Sequence, residues 1–133
     1  MDTSFKILVT AGALVLAYGF LLGIPMAQAR MKAAAAPRQL VNNHLEALIG
    51  GAVLIALAVA IDFSTLSTGL ETTAAWLLSI AVGLAVVGGT LNWLQRVDDA
   101  FASRSPGFYL QSLSGPLNLA GIGLVVMGVL KAL

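Results

Sequence analysis

Hydrophobic positions in this chain fall into four long blocks, about residues 7–26, 40–61, 73–94 and 113–130, and polar positions collect between them. Each block approaches the roughly 20 residues that an α-helix needs to cross the hydrocarbon core of a bilayer. No strand-like alternation competes with the helical reading. The pattern predicts an all-α integral membrane protein, a single four-transmembrane-helix bundle over residues 1–133, with connections too short for a soluble domain. Within the blocks, small residues recur four apart: Ala47/Gly51 and Ala52/Ala56/Ala60 in the second, Ala81/Ala85/Gly89 in the third. In lipid, where apolar burial drives little association, such stripes let helix backbones approach closely. Two such faces predict a bundle that also packs against copies of itself.

Composition sharpens this picture. The chain is 59% hydrophobic and 10% charged, with a mean hydropathy of +0.94. It has no cysteine, which excludes disulfides, thiolate metal sites and cysteine nucleophiles. Its formal net charge of +1 argues against a nucleic-acid partner. Ala27-Gln28-Ala29 looks like a signal-peptide cleavage site. The apolar run before it is longer than a signal peptide's hydrophobic region, and only Lys6 precedes it, so the run is read as a retained span. Arg30, Lys32, Arg38, Arg96 and Arg104 lie in the first and third connections, against Lys6 and Lys131 on the other side. The excess predicts those connections in the cytoplasm and both termini outside; the expected location is a bacterial inner membrane.

That topology puts the unusual side chains at one membrane depth. His44 and Glu46 open the second span, and Asn92, Trp93 and Gln95 close the third. The connection "RVDDAFASRSPGFYLQS" adds Asp98, Asp99, Arg104 and Tyr109, and Asn118 is expected about one turn inside the fourth span. All are expected to converge on one pocket open to the cytoplasm. The opposite turn, "DFSTLSTGLETT", reads as a solvated cap with Thr72 or Thr73 starting the third span. Trp93 and Tyr109 also fit the ordinary role of interfacial aromatics that anchor helix ends.

His44 is the only histidine. At a span end it is open to several roles: interfacial residue, packing residue, proton carrier or metal ligand. Leu40, Ala47, Leu48 and Gly51 share its helical face, whereas Glu46 points elsewhere. That face is smooth, Gly50 and Gly51 remove bulk beside it, and a flat macrocycle laid there is expected to take His44 as its one axial ligand. Arg30, Arg38 and Arg96 stand at the depth where its propionates would emerge, and arginine suits carboxylates. A zinc ion fits worse, with no cysteine and no second histidine to complete its shell.

"PMAQARMKAAAAPRQLVNNHLEALIGG", followed by an apolar span and then "GGTLNWLQ", resembles the small four-span hydroxylaminobenzene mutases, which look related to the membrane styrene oxide isomerases. The likeness covers most of the chain. It implies a b-type haem held by His44, with ferric iron acting as a Lewis acid. It also implies a homo-oligomer, with a trimer favoured, carrying haem between subunits. The reaction implied is an isomerisation of a small apolar aromatic substrate: an aryl hydroxylamine rearranged to an aminophenol or, as the alternative, an epoxide opened. On this reading Asn92 and Asn118 donate hydrogen bonds to the migrating oxygen, Asp99 or Glu46 moves a proton, and Trp93, Tyr109 and Phe108 form an aromatic wall. Two positions depart from the family pattern. Gly50 stands where an asparagine is frequent, and Asp99 where the epoxide isomerases carry a tyrosine; the second favours the mutase reading.

Other classes remain open at this point. A small proton-coupled transporter would use His44 and Glu46 as a titrating pair, although the first span lacks an ionisable residue after Lys6. An electron-transfer haem protein would need a second axial ligand from Met26, Met31, Met127 or another subunit. A structural membrane subunit would need no cofactor.

Overall fold

A computed structural model describes residues 2–133. The helices are α1 (Thr3–Lys32), α2 (Arg38–Asp62), α3 (Thr68–Leu94), the single turn α4 (Ala100–Ser103) and α5 (Pro106–Lys131). No strand occurs among the described residues. All four long helices are long and apolar enough to cross a bilayer, and the chain is an integral membrane four-helix bundle.

Each long helix outruns its hydrophobic block, because hydropathy marks the greasy part of a span while helical hydrogen bonding continues past it. α1 runs on to Lys32 although Pro25 lies inside it and removes one backbone donor. α3 starts at Thr68 rather than at Thr72 or Thr73. The largest difference is at α5, which begins at Pro106 rather than near residue 113. Ser105 caps it, its hydroxyl accepting from the Phe108 N–H at 3.1 Å, and Pro106 occupies the first turn, where its missing N–H costs nothing.

Helices α1 with α2 and α3 with α5 make the closest partnerships, and α3 also touches α1 and α2. α3 is the central helix: half of its most apolar stretch is buried, against 28% or less for the others. Its small-residue stripe explains this, since Ala81, Ala85 and Gly89 are all buried. In α2, Ala47 and Gly51 are buried as well, whereas Ala52 and Ala56 face outward.

Two crossings depend on missing side chains. A Cβ on Gly51 would lie 2.7 Å from Leu16 Cγ and 2.8 Å from the Gly12 carbonyl oxygen. A Cβ on Gly88 would lie 2.6 Å from the Gly107 carbonyl oxygen. Neither crossing has room for alanine without helix displacement. Five basic residues (Arg30, Lys32, Arg38, Arg96 and Arg104) fall at or between the helix ends at one end of the bundle, called here the basic end.

Candidate functional site

His44 is half-buried on α2 against α1. Its Nδ1 lies 2.7 Å from the Gly19 carbonyl oxygen. A carbonyl can only accept, so Nδ1 carries the proton and donates. In the neutral ring Nε2 is then left with its lone pair, the arrangement by which a backbone carbonyl fixes the tautomer of a metal-binding histidine. Gly23, one turn along α1, lies beside the ring: a Cβ there would make ordinary contact with His44 Cε1, at 3.7 Å.

The helical face expected to receive a macrocycle is instead the seat of α1. Leu40 is 1% exposed and Ala47 fully buried, and Gly51 is closed against Gly12 and Leu16. Gly51 is therefore a packing residue and does not cradle a cofactor. The half-buried His44 ring leaves one nitrogen, Nε2, whose lone pair would suit a single bond to a metal. Arg30 lies seven residues beyond Gly23, on nearly the same side of α1 and about 10 Å nearer the basic end, and it is exposed. Arg38 is rotated about 120° from His44 around α2. It faces the cavities described next.

A second polar group forms between α2, α3 and α5. Ser105 donates to Asn92 Oδ1 at 2.6 Å, Asn92 Nδ2 donates to Gln111 Oε1 at 3.1 Å, and Gln111 Nε2 donates to Glu46 Oε2 at 3.3 Å. Asn92 is fully buried. The chain runs in one direction, each amide accepting on one side and donating on the other, and it ends on the half-buried Glu46 carboxylate. Such ordered networks hold their members in register. Glu46 and Gln111 help line a cavity of about 400 Å³ together with Arg38, Asn42, Asp98 and Asp99. An adjoining cavity of about 810 Å³ shares Arg38 and Asp98 and is walled by Trp93 and Arg96.

The expected single pocket thus divides. Glu46, Asp99 and Arg38 line one basin, with Trp93 in its neighbouring lobe; Asn92, expected to donate to the migrating oxygen, is instead fully buried behind it and reaches Glu46 only through Gln111. His44 belongs to the α1–α2 seam, so Glu46 does not pair with it. Asp99 Oδ1 caps α4, accepting from the Phe101 and Ala102 N–H groups. Tyr109 is 58% exposed and meets Phe108 edge-on, ring centroids 5.5 Å apart, so it stands outside the basin. Asn118 lies seven residues past Gln111, about 10 Å deeper. It was expected one turn into its helix, and the early start of α5 puts it three turns in.

Sequence reasoning missed Asn43, Tyr18, Thr90, Ser105 and Gln111. Asn43 is buried against Gly89 and bonds Thr90, which also meets the Tyr18 hydroxyl at 2.6 Å. The Ser105-Pro106 pair was a legible helix start and would have brought Gln111 onto α5. No family model, no curated protein and no solved structure matches this chain.

Proposed function

We propose that the chain is a membrane-bound, haem-dependent isomerase of the hydroxylaminobenzene mutase kind. It rearranges a small aromatic hydroxylamine to an aminophenol at a site toward the cytoplasmic, basic end. The observation that carries the reading is the 2.7 Å contact from His44 Nδ1 to the Gly19 carbonyl oxygen, which leaves Nε2 with a free, oriented lone pair. His44 would hold the iron of a b-type haem, the Gly19 carbonyl fixing its ring and raising its basicity. Arg30, on nearly the same side of α1 as Gly23, is the cation available to a propionate. Ferric haem, when bound, supplies a Lewis acid that draws charge onto the substrate oxygen. The resemblance implies a haem carried between subunits. The proposal therefore includes a homo-oligomer, with the trimer that the resemblance implies. Asn92 acts on Glu46 through Gln111, as a positioning residue.

The test is an absorption spectrum of the detergent-solubilised protein beside His44→Ala, with turnover of phenylhydroxylamine measured on both. The Soret band and aminophenol formation should both disappear with His44, and imidazole added to His44→Gly should restore the band. A wild-type protein that takes up no haem refutes the proposal. Styrene oxide is the second substrate to assay, since an epoxide isomerase would show the same band.

The Glu46 basin favours one further reading, a small proton-coupled transporter with Glu46 as its carboxylate. Its cavity opens among charged groups at the basic end, as a carrier site does. Proton flux driven by an added aromatic amine in proteoliposomes, lost in Glu46→Gln, would move the assignment there.

A further inference from the structure

The larger cavity at the basic end, about 810 Å³ and walled by Arg38, Trp93, Leu94, Arg96, Val97 and Asp98, lies apart from His44. We propose that it binds the head of an anionic phospholipid, with the phosphodiester on the two arginines, an uncharged headgroup beyond it and the chains running back along α3 into the bilayer.

Helix α3 has 27 residues, a length of about 40 Å, and the hydrocarbon core of a bilayer is about 30 Å thick. The end of α3, with Trp93 and Leu94, therefore reaches the level of the lipid headgroups, where tryptophan is enriched. At that level the wall has two chemistries. Trp93, Leu94 and Val97 are apolar, and Leu94 is 63% exposed, which suits a glycerol backbone and the first methylenes of a chain. Arg38 and Arg96 stand beside them, and a guanidinium pairs with a phosphate through two parallel N–H groups. An amphiphile with an anionic head meets both chemistries, and a soluble anion meets only the second.

The backbone adds to the positive character of the same cavity. Pro37, Arg38 and Gln39 in its wall are the start of α2, which has no capping side chain and no acid in its first turn. The first N–H groups of α2 thus lack an acceptor within the helix and favour a negative charge. Arg96 holds φ at 52°, a conformation that at a helix end usually belongs to glycine. An arginine stands there despite the strain, and strain of this kind clusters where a ligand is clamped. Charge then selects the lipid. Two arginines against Asp98 leave the wall with one net positive charge, which a phosphodiester with an uncharged headgroup neutralises. A zwitterionic lipid leaves that charge standing and brings its own ammonium toward a guanidinium.

This assignment does not rest on the haem reading. The test reconstitutes the full chain with Trp76→Phe, which leaves Trp93 as its one indole, into phosphatidylcholine vesicles. Quenching of Trp93 fluorescence is then compared between phosphatidylglycerol and phosphatidylcholine brominated in their acyl chains. One net positive charge should give phosphatidylglycerol a preference of about five-fold at Trp93. Arg96→Gly, which puts glycine where the backbone favours it, should bring the two lipids level. Asp98→Asn should raise the preference to about 25-fold. Lys32→Gln, at the same end but outside the cavity, should leave it unchanged. Equal quenching by the two lipids before any of these substitutions would overturn the proposal. So would an equal loss with Lys32→Gln and Arg96→Gly, the mark of a diffuse attraction to the basic end. Relief of the quenching by inorganic phosphate, but not by chloride at equal ionic strength, would overturn it as well and give the cavity to a soluble anion.

Discussion

In the α1–α2 pair the backbones meet at Gly12 and Gly51; in the α3–α5 pair they meet at Gly88 and Gly107. The device is the same, and the polar chemistry around it is not. Beside the first crossing, His44 satisfies one ring nitrogen on a backbone carbonyl and leaves the other for an outside partner. Beside the second, Asn92, Ser105 and Gln111 satisfy one another and pass the chain on to Glu46. Closed polar networks define a fold, while an open lone pair beside a rigid crossing is available to a ligand. That difference separates a polar cluster closed on itself from the residue proposed to bind a ligand at nearly the same depth.

The largest expected effect is at the crossings themselves. Gly51→Leu and Gly88→Leu each force backbones apart and should cost about 3 kcal/mol or more, read as loss of helical signal in thermal unfolding of the micelle-bound protein. If only one of them is disruptive, the two pairs are not built alike. Next comes Asn92→Ala, which strands Ser105 and Gln111 and is expected to cost about 2–3 kcal/mol. Single and double substitutions at Asn92 and Gln111 should fall short of additivity by roughly 1 kcal/mol. His44→Ala in haem-free protein should cost only about 1 kcal/mol, because the Gly19 carbonyl keeps its place in the α1 helix. An Asn92 effect no larger than the His44 effect would remove the contrast on which the two roles rest.

What was legible from sequence follows the same division. Four spans, the buried Ala81/Ala85/Gly89 stripe and the gathering of Glu46 and Asn92 at one end could all be read from period and hydropathy. The direction in which each helix turns its polar residues could not, because that depends on neighbours that a single helix does not specify. His44 and Asn43 are adjacent in sequence, yet one meets α1 and the other α3. Gln111 was lost for a different reason: a hydropathy window put it in a loop, while the Ser105 cap starts α5 a full turn and more earlier. Gly51 was assigned to an open face for its lack of bulk, and the same lack of bulk is what lets α1 close over it.

The smallest effect distinguishes the two connections. Between α1 and α2 the chain passes through Ala33–Pro37 with no residue in the left-handed region; between α3 and α5, Arg96 and Arg104 sit there at φ 52° and 46°. Arg96 ends α3 in the way a glycine usually does, with the Val97 N–H reaching back to the Asn92 carbonyl at 2.9 Å. An L-residue in this conformation costs about 1 kcal/mol that glycine avoids. Arg96→Gly should therefore stabilise the protein, less the few tenths that glycine's freedom adds to the unfolded chain. Ala35→Gly, in the other connection, relieves no strain and should only destabilise, by about 0.5 kcal/mol. Opposite signs for the same kind of change, read as shifts in unfolding temperature, would show that the second helix pair holds its tight join at the expense of backbone strain. Equal signs would mean that the left-handed turn at Arg96 is relaxed, and that the Asn92 network beside it carries no strain from the connection.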